Sequence, residues 1–248
     1  ASKGFDFNAY WKRAILSATW GKLLASEFGR RDAEEVFLAA LLSGCALLWA
    51  LGNAAAARPA NVPAAIDRSL YAFSIAFWCV VAPCWLWLKL IVRHRIALAA
   101  GGLVVLLPTW LALVRLQHDA LLLLLLLAVV WIADCAAYFT GRALGRHKLA
   151  SAISPGKTWE GVGGAFAAVT VYALTLHFSL FSAHDLPMII AAFFGMTTFG
   201  IAGDLLESWL KRNAGVKDSG GIFPGHGGML DRIDGVTAAL PLAALIFI

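Results

Sequence analysis

The sequence predicts an all-α, polytopic integral membrane protein with about seven transmembrane helices and an N-terminal interfacial helix. Hydrophobic residues make up 60% of the 248 residues and charged residues 14%, whereas a soluble domain is about half apolar and about a quarter charged. Apolar runs of about 20 residues, the length that crosses a bilayer, recur along the chain. Lysine and arginine are concentrated in alternate connecting segments, as in multi-pass proteins.

The elements follow one another in a simple order. Residues 7–28 mix tryptophan and leucine with lysine and arginine, so they are too polar to span and predict an interfacial helix. The expected membrane segments are Val36–Ala57, Leu70–Val92, Ile96–Val114, Ala120–Thr140, Gly161–Phe181, Leu186–Leu205 and Gly235–Ile248, the last of them short for a crossing. We divide the chain into a segment 1–35, transmembrane helices 36–127 and a polar-rich transmembrane region 128–248. Because it begins with Ala1 and not Met, a processed or trimmed boundary is expected.

Basic residues fix the expected orientation, because they stay on the cytoplasmic side of a membrane. With the N-terminus inside, the outer side keeps only Arg58, Arg68 and Arg115. The net charge of +5 therefore reflects topology and anionic headgroups. No arm, finger or basic helix of the kind that binds nucleic acid is present, and no such partner is expected. The four cysteines form no CxxC pair, so neither zinc nor disulfides are predicted.

Nearly all polar residues of the C-terminal half fall into two stretches, 134–160 and 204–234. Since the intervening helices cross alternately, both stretches are expected on the same, cytoplasmic side. We therefore predict that they build one site. The chain shows no clear internal repeat, which gives a transporter of duplicated halves no support.

The helix before the second stretch carries polar groups at helical spacing. Asp204, Glu207, Ser208 and Lys211 share one helical face. A carboxylate near the centre of a membrane helix costs about 2.5–3.5 kcal/mol on insertion scales, and a carboxylate in a membrane helix marks a functional site by default. The alternative is a solvated helix end.

A glycine-rich loop, 213–228, precedes the last apolar segment. Its glycines are Gly215, Gly220, Gly221, Gly225, Gly227 and Gly228, and such loops turn backbone amides towards phosphate oxygens. A flexible linker has a similar composition, but Asp218, Asp231 and Asp234 surround this one. Clustered acids would repel phosphates unless a cation lies between them, and Mg²⁺ bridges carboxylates to phosphates in this way. Lys217 and His226 add donors.

Two motifs resemble the phosphatidate cytidylyltransferases, also called CDP-diacylglycerol synthases. The first runs from Ser208 to Asp234 and includes Lys217-Asp218-Ser-Gly220 and the Phe223–Asp234 string. The second runs from Asp134 through Gly141-Arg142 and Gly145–Lys148 to the SPGKTWEG string that begins at Ser154. Together they cover about the C-terminal half of the chain.

The resemblance implies transfer of CMP from CTP to phosphatidic acid at the cytoplasmic face of a bacterial inner membrane, giving CDP-diacylglycerol and pyrophosphate. It also implies Mg²⁺, with K⁺ or another Mg²⁺ as a second cation. We expect Asp204 and Asp231 as metal ligands, with Asp134, Glu207 and Asp234 as second choices. CTP, phosphatidic acid and membrane lipids are the expected partners, and a homodimer is compatible with the sequence.

Asp204, Asp231, Lys217 and Asp218 are the expected catalytic residues. The candidate substrate-binding residues are Ser154, Lys157, Thr158, Ser208, Lys211, Arg212, His226, Gly227, Gly228 and Arg232. Ser154 and Thr158 either donate to phosphate or cap the following helix. Arg142, Arg146 and Lys148 are favoured as topology signals over lipid-headgroup contacts. His226 is favoured in binding over general-base catalysis, because a phosphate monoester is already largely ionised near neutral pH.

Two other functions stay open at the level of sequence. A CTP-dependent lipid kinase would transfer the γ-phosphate to an alcohol, using similar acidic and glycine-rich elements. A cation channel or transporter would place carboxylates along a transmembrane path, whereas here they cluster at one mouth.

Overall fold

The computed structural model describes residues 64–92, 95–117, 119–181, 185–216 and 230–248, which lie in one compact unit. Helix α1 spans Ala64–Ala76 and continues through a π-helical turn, Phe77–Val81, into α2, Ala82–Trp87. Helices α3 and α4 span Arg95–Leu116 and Ala120–Leu144. Strands β1, Lys148–Ala150, and β2, Ser154–Thr158, precede α5, Trp159–Ser179. Helices α6 and α7 span Leu186–Asn213 and Leu230–Phe247.

Four helical segments are long and apolar enough to cross a membrane: Asp67–Trp87, Ala120–Leu144, Trp159–Ser179 and Leu186–Asn213. Two shorter apolar helices are Ala100–Leu116 and Ile233–Phe247. Every membrane segment expected from Leu70 onward therefore falls on a helix. The expected segment Val36–Ala57 and the interfacial helix lie outside the described residues.

Helix α7 lies at the centre of the described bundle. From Gly235 to Pro241 every residue is buried, and Ala238, Ala239 and Leu240 are completely inaccessible. It packs against α6, α3 and α1. Small residues let helix backbones approach closely, which is how packing stabilises helices in lipid. Large apolar side chains such as Trp87, Phe139 and Phe178 are exposed on the outside, where lipid would cover them.

Polar ties between helices reinforce this packing. Arg115 Nη2 on α3 lies 2.5 Å from Asp67 Oδ2 on α1, and Asp67 is buried. The Tyr172 hydroxyl on α5 donates to the Leu125 carbonyl on α4 at 3.1 Å. In the sequence Arg115 indicates only the outer side of the membrane, so the ion pair that joins α1 to α3 was not predicted.

The all-α prediction missed one element. Residues 148–158 form a two-stranded antiparallel hairpin in which Lys148 pairs with Thr158 and Ala150 with Ser154. Pro155 and Gly156 disfavour helix within β2, and the strand stops where the Thr158 hydroxyl oxygen accepts the Gly161 amide proton and caps α5. The rest of the described architecture is helical.

One interhelical hydrogen bond gives a stability prediction. The buried Thr109 hydroxyl on α3 donates to the Thr237 carbonyl on α7 at 2.7 Å and shares its proton with the Val105 carbonyl of its own helix at 2.8 Å. Thr109→Val should lower the free energy of unfolding by about 0.5–1.5 kcal/mol, the range for such bonds in membranes. Thermal unfolding in detergent measures the change. Thr175→Val is the matched control, because among the described residues that exposed hydroxyl donates to the Val171 carbonyl of its own helix alone. An equal loss in both variants contradicts the assignment.

Candidate active site

Close packing of α6 on α7 creates the centre of the site. A methyl group added to Gly203 of α6 would lie 2.6 Å from the Asp234 carbonyl oxygen of α7. One turn earlier, Gly200 similarly faces Gly235. The absence of side chains at these crossings brings the two backbones together, so that acids on either helix lie side by side.

Three carboxylates meet at this crossing. Carboxylate oxygens of Asp204 and Glu207 on α6 and of Asp234 on α7 lie within 4.8 Å of one another. The Asp234 carboxylate also accepts the Gly235 amide proton at 2.7 Å, which fixes its direction. All three residues are partly exposed. Each of them is a metal-ligand candidate predicted from the sequence, and the structure brings them together.

Two lysines offset the negative charge. Lys157 Nζ on β2 lies 2.5 Å from Asp204 Oδ2, and Lys211 Nζ lies 2.7 Å from Glu207 Oε2 one turn along α6. The Ser208 hydroxyl donates to Asp204 Oδ1 at 3.3 Å. The predicted shared face of α6 is therefore confirmed by the contacts along it.

The two polar stretches do meet at one place, as predicted. Lys157 comes from the first stretch and Asp204 from the second. Asp134 on α4 is near enough to interact electrostatically with Asp204 and Lys157, and Asp234 interacts with the same residues and with Asp134. Four elements, α4, β2, α6 and α7, thus contribute to one cluster of charge.

The hairpin shows which of Ser154 and Thr158 caps α5, while phosphate binding by either residue stays a prediction. Thr158 is the N-cap of α5, as the capping alternative stated. Ser154 does not begin a helix; it is the first residue of β2, because the chain stays extended for four more residues before α5. A contact beside the hairpin was not predicted from the sequence: Glu160 Oε1 lies 2.7 Å from His147 Nδ1.

The structure describes only some of the remaining candidate site residues. Arg212 is exposed at the end of α6. Gly215, expected in a phosphate-binding nest, has φ +73° and ends α6: its amide donates to the Arg212 carbonyl, and the Val216 amide donates to the Lys211 carbonyl. Outside the described residues lie Lys217, Asp218, His226, Gly227 and Gly228, as do the side chains of Asp231 and Arg232.

The arrangement has a clear chemical capacity. Converging carboxylate oxygens are the ligands that hard divalent cations such as Mg²⁺ prefer. Ammonium groups at the edge of such a cluster can pair with phosphate oxygens. Together they suit a reaction that brings several phosphate groups into contact.

Comparison with known proteins agrees with this chemistry. The sequence profile of the cytidylyltransferase family matches residues 7–248, which extends the likeness well beyond the C-terminal half. A phosphatidate cytidylyltransferase of Haemophilus influenzae is 45% identical over 134 residues, covering 52% of this chain and 46% of the relative. That of Pseudomonas aeruginosa is 46% identical over 149 residues, with coverages of 58% and 55%.

A phosphatidate cytidylyltransferase of Staphylococcus aureus is 44% identical over 121 residues, covering 48% of this chain and 46% of the relative. The chain spans about half the length of the curated relatives that it matches. The profile, in contrast, covers nearly the whole chain, and the long apolar helices are those of a protein embedded in lipid. The chain is therefore an integral membrane protein that belongs to the cytidylyltransferase family.

Proposed function

We propose that the protein is a phosphatidate cytidylyltransferase, which transfers CMP from CTP to phosphatidic acid and so supplies CDP-diacylglycerol for phospholipid biosynthesis. The observation that carries the proposal is the meeting of Asp204, Glu207 and Asp234 with Lys157 at the crossing of α6 and α7. The relatives' names supply the acceptor, phosphatidate. The basic residues favour a site that faces the cytoplasm, and the bacterial relatives favour a bacterial inner membrane.

A magnesium ion fits the donor set. Asp204, Glu207 and Asp234 supply oxygen ligands whose spacing suits one shared cation. Asp231 and Asp134 are the further candidates, with K⁺ or another Mg²⁺ in a second position. When bound, the cation neutralises phosphate oxygens and polarises the phosphorus that is attacked. The protein's own part is to hold the carboxylates and to place the substrates.

The proposed reaction needs no covalent enzyme intermediate. A phosphate oxygen of phosphatidic acid attacks the α-phosphorus of CTP, a new P–O bond forms, and the bond to the β-phosphate breaks to release pyrophosphate. The barrier arises chiefly from bringing several anions together, so positioning and charge neutralisation supply most of the catalysis. Lys157 and Lys211 lie where they can turn from their carboxylate partners to the triphosphate.

Isotopic labelling separates this reaction from the kinase alternative. Purified protein is incubated with phosphatidic acid, Mg²⁺ and CTP labelled at the α-phosphorus. Label in the lipid product, with stoichiometric pyrophosphate, supports cytidylyl transfer. With an alcohol such as dolichol as acceptor, label that stays in released CDP indicates a lipid kinase and contradicts the proposal. Ion flux through reconstituted vesicles without nucleotide would instead support a channel.

Removal of divalent cations should stop the proposed reaction. EDTA is expected to lower formation of labelled lipid to background, because the three carboxylates would then repel the triphosphate. Excess Mg²⁺ should restore it, and Mg²⁺ alone should raise the melting temperature of the protein. Full activity in EDTA contradicts the metal assignment but leaves cytidylyl transfer itself to the labelling experiment.

A further inference from the structure

A compact set of hydrogen bonds joins the start of α5 to the loop before β1. The Glu160 carboxylate accepts the His147 backbone amide proton, with both oxygens 3.2 Å from that nitrogen. Glu160 Oε1 also lies 2.7 Å from His147 Nδ1. In return, the Trp159 amide donates to the His147 carbonyl at 3.0 Å. We call this group the Glu160–His147 latch.

The latch substitutes for one step of the β-ladder. In an antiparallel pair, two opposite residues exchange both backbone hydrogen bonds. Here Trp159 gives its bond to His147, but the chain turns into α5 at Trp159. The return bond from the His147 amide goes to the Glu160 carboxylate instead. A side chain thus holds the hairpin together at the point where β2 becomes a helix.

That point lies next to the charged cluster. Lys157 immediately precedes the N-cap, Thr158, and its side chain is only 23% exposed where it meets Asp204. A methyl group on Gly141 would lie 2.9 Å from the Thr158 hydroxyl oxygen, so α4 closes the other side of the same turn. The backbone that carries Lys157 is therefore restrained by two contacts: α4 packs against Thr158, and the latch fixes the start of α5.

We propose that Glu160, through its bonds to His147, is a positioning residue that fixes the direction of Lys157. Glu160 itself is paired with His147 and does not touch Asp204 in the described contacts. The Glu160 carboxylate holds the backbone of the hairpin through the His147 amide. The hairpin in turn sets the position of Lys157 beside Asp204. The expected consequence for nucleotide rests on the proposed function, in which Lys157 contacts the triphosphate.

A double-mutant cycle tests the path from the latch to Lys157. Glu160→Ala is expected to raise the dissociation constant for CTP, measured with Mg²⁺ but without phosphatidic acid, by about 10-fold or more, since small misplacements of a binding group are costly. In a Lys157→Met background the same change should have no further effect. Equal effects in both backgrounds would show a merely structural role and overturn the proposal.

Chemical labelling of lysine tests the same path without any nucleotide. An amine-acylating reagent should modify Lys157 severalfold faster in Glu160→Ala than in the unmodified protein, because the ion pair with Asp204 loosens. The exposed Lys89, which follows α2 and lies outside the hairpin, is an internal reference for general unfolding. Unchanged Lys157 labelling, or an equal rise at both lysines, contradicts the latch.

Two further variants, one conservative and one neutral, are compared with Glu160→Ala in the labelling experiment. Glu160→Gln keeps an acceptor oxygen for the His147 amide and should restore most of the protection of Lys157. Ser151→Ala, at an exposed position in the hairpin turn, should change nothing. If the protein fails to use CTP, the proposed function is wrong while the labelling still decides the latch; if CTP is used but labelling does not respond, the latch alone is wrong.

Discussion

Asp204→Asn should lower CDP-lipid formation by at least about 10²–10³-fold, the loss seen when one preorganised electrostatic group is removed from a site. The Asp204 carboxylate is the contact that the cluster shares: it lies near the oxygens of Glu207 and Asp234, pairs with Lys157 and accepts from Ser208. Asparagine keeps the shape and one acceptor oxygen but removes the charge. Pyrophosphate release and labelled lipid measure the loss.

The control is an aspartate at the other end of the same helix. Asp185 precedes α6 and makes no capping side-chain hydrogen bond there, so Asp185→Asn should keep near-normal activity. Both variants should remain folded, as size-exclusion profiles and melting temperatures would show. We expect Asp231→Asn to behave like Asp204→Asn. Near-normal turnover by both Asp204→Asn and Asp231→Asn contradicts the metal assignment.

Gly203→Ala should destabilise the protein and disable the site together. The added methyl group would lie 2.6 Å from the Asp234 carbonyl oxygen and 3.1 Å from the Ala238 side chain. Backbone cannot move aside as a flexible side chain would, so α6 and α7 must separate. Overpacking of this kind costs about 1–3 kcal/mol. Because Asp204 and Asp234 flank the contact, their carboxylates separate as well, and activity should fall by about 10²-fold.

A glycine with open space beside it supplies the comparison. In the part of the chain that the structure describes, nothing lies within 4 Å of a methyl group placed on Gly163, an exposed position in α5. Gly163→Ala should therefore be neutral or raise the melting temperature slightly, since alanine favours helix. Melting temperature and labelled-lipid formation, measured for both variants, test the pair. Equal stability of the two variants would show that the α6–α7 contact is less tight than described.

The membrane helices could be predicted from the sequence because a helix that crosses a bilayer needs about 20 consecutive, mostly apolar residues. A run such as the one from Leu121 to Leu127 can hardly form anything but a buried or membrane helix. The sequence also predicted that the two polar stretches would build one site, and the pairing of Lys157 with Asp204 joins them. Alternating crossings place both stretches on one side, and a small bundle leaves little room for two sites there.

The β-hairpin and the individual side-chain contacts could not be predicted from the sequence. Residues 148–158 show no strand-like alternation, and Pro155 with Gly156 indicates a turn as readily as an edge strand. The bond between Glu160 and His147 joins residues 13 apart through a reversal that no periodicity reports. Arg115 was interpreted as a topology signal, and nothing in the sequence indicates its ion pair with Asp67. Gly215 looked like part of a nest, but only its φ of +73° reveals that it ends a helix.

The central place of α7 has a consequence for biosynthesis. Among the described helices, the one at the heart of the bundle is the one the ribosome makes last, and chains emerge from the N-terminus onward. Until α7 is inserted, α1, α3 and α6 lack the helix against which they pack, and Asp204 lacks Asp234 as a neighbour. An interrupted nascent chain would therefore reach the bilayer without a complete set of carboxylates, and a stalled fragment should be inert.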